Sequence, residues 1–429
     1  MSLSANKHLN NLLSTDDEID ELANLFSYNY NQRSIKAQYE RLNWSEHKSL
    51  CLHNKTFSSK YHMQASSFDI LLALIRRKIT VDYKQSHRST EGNEPIYPEL
   101  ILACGLRFMG GELSKSLMDI FGISKNSTER VVNMFLDAID ECPDELVKIE
   151  LPKAEEYENV RSAWMELVTE KIFDGVLLCI DGWLCCTNKP FDVNNTNDYF
   201  SGHYQRFSIN VQACCDAHLR FRYAATISPG KTNDLRSFLR CVNLRHWMAS
   251  LPDRYFMIGD NAYQLSRRML IPFSGADRLD QHKTVFNFYL SQIRIRIEMS
   301  FGLLTSKFRI FRSNLQFSTT KNCKIIRVGM KLHNFVINAE NPDIYIRSSV
   351  EDILDAIDPL PEKDFGVGNG ERGYLVPTET QDELRENNNI FTLYDDVTDN
   401  SRRSAILNKV IQNDLQRPMY NLERNGYLY

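Results

Sequence analysis

Among the ten cysteines of this 429-residue chain there is no CxxC pair and no zinc-ribbon spacing. That absence argues against a structural zinc site and fits reduced intracellular thiols. The adjacent pairs Cys185–Cys186 and Cys214–Cys215 would point to opposite faces of an extended chain, so they read as core strand residues. No apolar run reaches the length of a membrane span, which gives no membrane partner. The opening stretch, MSLSANKHLNNLLSTDDEID, is polar and turns acidic, unlike a secretory signal. An overall positive charge is missing too: 51 Lys and Arg stand against 55 Asp and Glu. The chain as a whole therefore carries no electrostatic attraction to polyanions. What is present is ordinary globular material, with 42% hydrophobic and 25% charged residues. Its length suggests two or three domains.

The charge is unevenly placed. From His282 to His333 there are ten Lys and Arg against one acid, Glu298. At the centre of this window lies Gln292–Phe311, QIRIRIEMSFGLLTSKFRIF, with Arg294, Arg296, Lys307 and Arg309, followed by Arg312. Local positive charge is the footprint of a polyanion partner, and a lone carboxylate inside it suggests a metal ligand beside a phosphate grip. A solvated basic helix face would give the same charge run. Further on, Glu340–Asn400 holds sixteen acids and four basic residues and reads as a disordered linker.

Taken in order, Ser14-Thr15-Asp16-Asp17 looks like a helix start within a polar region 1–60. Residues 61–150 read as all-helical, with apolar spacing in Ser66–Ile79 and again from Pro98 to Met109. Within about 98–139, a short helix after Ser114, a turn at Gly122-Ile123 and a longer helix capped by Ser124 follow the helix-turn-helix pattern. The leading end of that last helix offers Lys125, Asn126, Ser127, Thr128 and Arg130 to phosphates and base edges. A plain helical bundle with a tight turn has the same signature.

A connecting helix fills 151–174, and then the texture turns to strands. Gly175–Ile180, Phe207–Cys215, Arg220–Ser228 and Arg254–Ile258 are strand candidates. Asn233–Leu244 reads as helix between the third and fourth strands, and Asn287–Lys307 as helix after them. Strands alternating with helices indicate an α/β domain over 175–338. Asp181 and Asp260 each follow a hydrophobic strand candidate and sit beside a glycine, where α/β sheets expose functional groups. With Glu298 they make three hard oxygen ligands, enough for two divalent cations flanking a phosphodiester. A linker over 339–400 and a helical tail over 401–429, with Ser401–Gln416 amphipathic, complete the chain.

The ordered motifs CIDG (Cys179–Gly182), YFSGHYQRFSINVQACCD (Tyr199–Asp216), SPGKTND (Ser228–Asp234) and IGDNAY (Ile258–Tyr263) form a recognisable set. RIEMSFGLLTSKFRIF (Arg296–Phe311) and KLHNFV (Lys331–Val336) continue it. Together they resemble the transposases of the PIF/Harbinger superfamily, whose catalytic part is a DDE endonuclease domain. The resemblance covers most of Ser66–Asn338. It implies an α/β ribonuclease-H-like catalytic domain, a mixed sheet flanked by helices, preceded by an all-α helix-turn-helix domain. By the same resemblance Asp181, Asp260 and Glu298, separated by 79 and 38 positions, are the catalytic acids and hold Mg²⁺ or Mn²⁺. Asp234 is a supporting residue, for substrate positioning or capping. Arg294, Arg296, Lys307, Arg309 and Arg312 contact DNA, at transposon ends and target. The implied partners are a Myb-like accessory protein and further copies of the chain on DNA, in the nucleus with the cytoplasm as a second compartment. His333-Asn334 matches a family motif and reads as packing. Trp183 and Asn261-Ala262 depart from the usual pattern, which leaves a domesticated, non-cutting DNA-binding or protein-interaction factor as the alternative.

Overall fold

The computed structural model describes residues 40–82, 95–202, 204–340 and 399–417. The helix start at Ser14, nearly all of the acidic segment and the last residues of the tail lie outside the described residues. Among the described residues six helices precede the sheet region's connecting helix: α1 (Trp44–His53), α2 (Phe57–Tyr61), α3 (Ala65–Ile79), α4 (Pro98–Met109), α5 (Ser114–Phe121) and α6 (Lys125–Asp140). Pro98 opens α4, where its missing N–H needs no partner. The α5–α6 turn is made at Gly122, whose φ of +59° suits glycine and whose missing Cβ leaves room for the Glu40 carbonyl. Ser124 then caps α6, its Oγ accepting from the Ser127 amide at 3.3 Å. Gly105 of α4 lies under the Phe135 ring of α6, so these two helices pack closer than a larger side chain would permit.

After α7 (Tyr157–Leu167) the sheet begins. Its strands are β1 (Val176–Cys186), β2 (Phe200–Ser201), β3 (Arg206–Cys215), β4 (Phe221–Pro229), β5 (Phe256–Ile258) and β6 (Met269–Leu270). Helices α8 (Asp234–Leu239) and α9 (Val242–Ser250) come between β4 and β5, where the sequence pattern suggests a single helix. Across the sheet the order is β4-β3-β1-β5-β6, with β2 paired to one end of β3. β1, β3 and β4 run antiparallel, while β1, β5 and β6 run parallel. A mixed sheet in this order, flanked by helices, fits a ribonuclease-H-like fold.

Two long helices follow, α10 (Gln281–Lys307) and α11 (Thr319–Ala339), and then α12 (Ser401–Gln412). On α10 the buried residues Phe286, Leu290, Ile293, Ile297 and Leu304 recur at helical spacing and face the core. Helix α12 packs on α10 through Ile406 and Val410, and Arg402 lies over the Phe256 ring at 4.8 Å. One continuous hydrophobic cluster runs from the first helices through the sheet to α12. The helical part and the sheet part therefore share a core. The motif pair His333-Asn334 belongs to it. His333 Nε2 meets the Leu219 carbonyl at 2.8 Å, and Asn334 bonds both the N–H and the C=O of Phe221. Burial holds His333 down at about 4, so it packs as a neutral ring.

Candidate active site

β1 is longer than its sequence suggests. It does not stop before Asp181 but continues to Cys186, because β3 pairs with it along the whole stretch from Cys179 to Cys186. What ends early is the pairing with β5, whose last register pair is Cys179 with Ile258. Asp181 and Asp260 each lie two residues beyond that pair, where the parallel strands part. Side chains alternate along a strand, so Asp181 shares a face with Cys179, whose thiol meets the Ile293 carbonyl of α10 at 3.5 Å. Asp181 thus faces the helix that carries Glu298.

Two of the acids, Asp181 and Glu298, are linked through Arg294. Its guanidinium is 2.6 Å from Glu298 Oε1 and 4.0 Å from Asp181 Oδ2. The pair Arg294 and Glu298 is one helical turn apart on α10, the spacing that brings side chains together. Burial, and then the Asp260 charge, push Asp181 up to about 7, against the opposing pull of the Gly182 N–H and Arg294. Asp260 is also raised, first by burial and then by the nearby Asp234, while its Oδ1 accepts from the Ala262 N–H at 2.9 Å. Two half-buried carboxylates raised in this way form a site short of positive charge, which suits a divalent cation. Glu298, 46% exposed, is held by Arg294. As they stand, no three His, Cys, Asp or Glu side chains among the described residues converge closely enough to hold a metal. Asp181 and Asp260 are hard oxygen donors of the kind such a cation takes, while Glu298 is paired with Arg294.

Residues 180–334 match the family model described as DDE superfamily endonuclease. The match takes in all three acids. No curated protein and no solved structure matches the chain. Within the endonuclease segment, Asp234 is the first residue of α8, but the cap is Asn233, whose Oδ1 accepts from the Arg236 amide at 2.9 Å. Asp234 Oδ1 accepts instead from Asn210 at 3.1 Å and Gln212 at 2.9 Å. Its carboxylate also lies where a Cβ on Gly182 would be. Glycine beside the first aspartate therefore makes room for Asp234. Gln212 in turn accepts from the Tyr263 hydroxyl at 2.8 Å. This chain of buried Asn210, Gln212 and Tyr263 with half-buried Asp234 packs against Gly182, next to the first acid. Asn210 and Gln212 carry no separate signal in the sequence; their alternation on β3, two residues apart and opposite the Asp181–Gly182 region, is the pattern that points to them.

The expected DNA-contacting residues divide into two groups. Lys125, Asn126 and Arg130 are exposed at the start of α6, and Arg309 and Arg312 beyond the end of α10. Ser127 is half-buried there, at the amide that Ser124 caps. Thr128 is 1% exposed and its hydroxyl donates to the Ser124 carbonyl at 3.0 Å, so it packs inward and cannot reach DNA. Arg296 is partly buried beside Cys215 and Cys179, and burial lowers its pKa from the usual arginine value. It lines the helix–sheet contact and does not project into a groove. Lys307 lies 3.9 Å from Glu340. Trp183, the unusual residue after Asp-Gly, stacks on Phe301 at 5.7 Å and meets Phe311 edge-on at 5.4 Å. It fastens β1 to the helix that bears Glu298.

Proposed function

We propose that this chain is a divalent-metal-dependent DNA endonuclease of the PIF/Harbinger transposase type, cutting and joining DNA at transposon ends. The observation that carries the reading is the placement of Asp181 and Asp260 just past the last β1–β5 register pair, opposite Glu298, within the matched segment. Asp181, Asp260 and Glu298 would hold Mg²⁺ or Mn²⁺. When bound, such an ion supplies the Lewis acidity that phosphodiester cleavage and strand transfer require. The chain's own residues do the rest. Asp234, Gln212 and Tyr263 keep the β1 edge fixed, and the Tyr263 hydroxyl stays protonated because burial raises it. Arg294, released from Glu298, is placed to take a phosphate oxygen. Arg309 and Arg312 extend that grip along the backbone.

The exposed leading end of α6, with Lys125, Asn126, Ser127 and Arg130, serves in this reading as the recognition end of a helix-turn-helix. End pairing calls for more than one copy of the chain on DNA, and a Myb-like accessory protein and nuclear location belong to the same proposal. The experiment is metal-dependent nicking of plasmid DNA carrying the element's ends. Wild-type chain is expected to nick in Mg²⁺ or Mn²⁺, and Asp260→Asn and Glu298→Gln to lose the activity. Nicking by either variant at the wild-type rate rejects the assignment of these acids. Tight DNA binding with no cleavage in either metal points instead to a domesticated factor.

A further inference from the structure

Beside the acids lies a cleft that shares Asp260 and Arg294 with the candidate site and adds Pro272 and Arg278, which the cutting reaction described above does not use. It has a volume of about 420 Å³, and its lining includes Asp260, Asn261, Pro272, Arg278, Leu290 and Arg294. That is within the size range of ligand pockets, and the cleft stands open to solvent. Asn287 also lines it, but both atoms of its amide are bonded to the Phe273 backbone, at 2.8 and 2.9 Å, so it shapes the wall without offering a free group. What the cleft offers is the half-buried ring of Pro272 and two guanidinium groups, those of Arg278 and Arg294. The next residue after Arg278 is Leu279, which is 91% exposed. A single exposed leucine is ordinary on a protein surface. This one is held on a fixed support next to a cationic cleft. The Thr284 hydroxyl donates to the Arg278 carbonyl at 2.9 Å, and Asp280 Oδ1 caps α10 through the Lys283 amide at 3.0 Å. Lys283 also reaches Asp277 at 2.5 Å, and Gly275, with φ of +60°, turns the chain into this loop.

We propose that the cleft is a subsite for one unstacked nucleotide of the DNA strand next to the cut, with Leu279 as the wedge that fills the vacated place in the base stack. This rests on the nuclease reading above and adds a second contact region to it. The base lies against Pro272, and Arg278 and Arg294 hold its flanking phosphate. Apolar wedges of this kind are how proteins offset the unstacking of a base step, and a base that is already unpaired needs less of that help.

The test uses the full chain in Ca²⁺ and two labelled probes, a short fully paired DNA duplex and the same duplex with one unpaired nucleotide at its centre. Wild-type chain is expected to bind the second roughly tenfold more tightly. Leu279→Ala is expected to weaken binding of the paired duplex several-fold and leave the other nearly unchanged. Arg278→Ala should weaken both. Since Leu279 is exposed, the variant is expected to keep the wild-type melting temperature. Equal affinity of the wild type for both probes, together with no effect of Leu279→Ala on either, overturns the subsite while leaving the nuclease reading intact. Failure of the wild type to bind either probe overturns the nuclease reading and the subsite with it.

Discussion

Helices α10 and α11 look alike in sequence, both rich in Lys and Arg and almost free of acids, yet they use that charge in opposite ways. On α10, Arg294 lies among the acids of the candidate site, 2.6 Å from Glu298. On α11, Arg327 makes two bonds to Asp140 of α6, at 3.1 and 2.7 Å. Lys324 pairs with Asp137 of α6, and Lys331 donates to the Ile139 carbonyl at 3.3 Å. The basic face of α11 thus joins the helical part of the chain to the sheet part. On the α10 side, Arg309 and Arg312 beyond the helix are exposed at the surface. A run of like charge in a sequence does not name its partner. Here both acids that pair with α11, Asp137 and Asp140, come from a helix nearly two hundred positions upstream.

The comparison breaks most visibly in turnover. Glu298→Gln on α10 is expected to lower metal-dependent nicking by at least about a hundredfold, as loss of a catalytic group does. Asp140→Asn, which removes the α11 partner, should leave the rate per folded molecule within about threefold. Equal losses from both would mean that the two helices do not divide the work as described.

A second measure is the salt dependence of DNA binding. Arg309→Ala and Arg312→Ala should each lower the slope of log affinity against log salt concentration by about one. Lys324→Ala, already paired within the chain, should leave the slope unchanged.

Asp181 gives a smaller effect with a defined sign. Its folded pKa, raised to about 7, lies above that of an unfolded aspartate. The folded chain therefore keeps a proton that the unfolded chain has released, and metal-free stability falls as pH rises from about 4 through about 7. Asp181→Asn removes that penalty. Its metal-free melting temperature at pH 8 should exceed wild type by about 5 °C, with the gap shrinking at pH 5 and closing near pH 4. A gap that widens on acidification would reverse the argument. Added Mg²⁺ should raise the wild-type melting temperature more than that of the variant.

The smallest effect belongs to the α6–α11 contact. Arg327 is 40% exposed, so solvent screening limits Arg327→Ala to about 1 kcal/mol, or roughly 2–4 °C in melting temperature. Calorimetry of the full chain measures it. A much larger loss would make the contact a principal support of the fold.

The sequence by itself was enough to mark α4, α5 and α6, because the opening proline Pro98, the cap at Ser124 and the stop at Gly122 are local signals. It also marked the strands and the acids Asp181, Asp260 and Glu298, through hydrophobic runs that end at Asp-Gly or Gly-Asp and through one acid in a basic field. Where β1 ends was not legible, since its second half is held by β3 and not by its own residues. The same holds for Thr128 and Arg296. Composition recommends both as DNA contacts, but helix phase turns the first into the core and the second against β1 and β3. Only the tertiary structure placed Arg294 between two of the acids, Asp234 against Gly182, and the charges of α11 on α6. The reason is physical. Local signals report backbone preference and burial, whereas the partner of a charge depends on which distant segment the fold brings within a few ångströms.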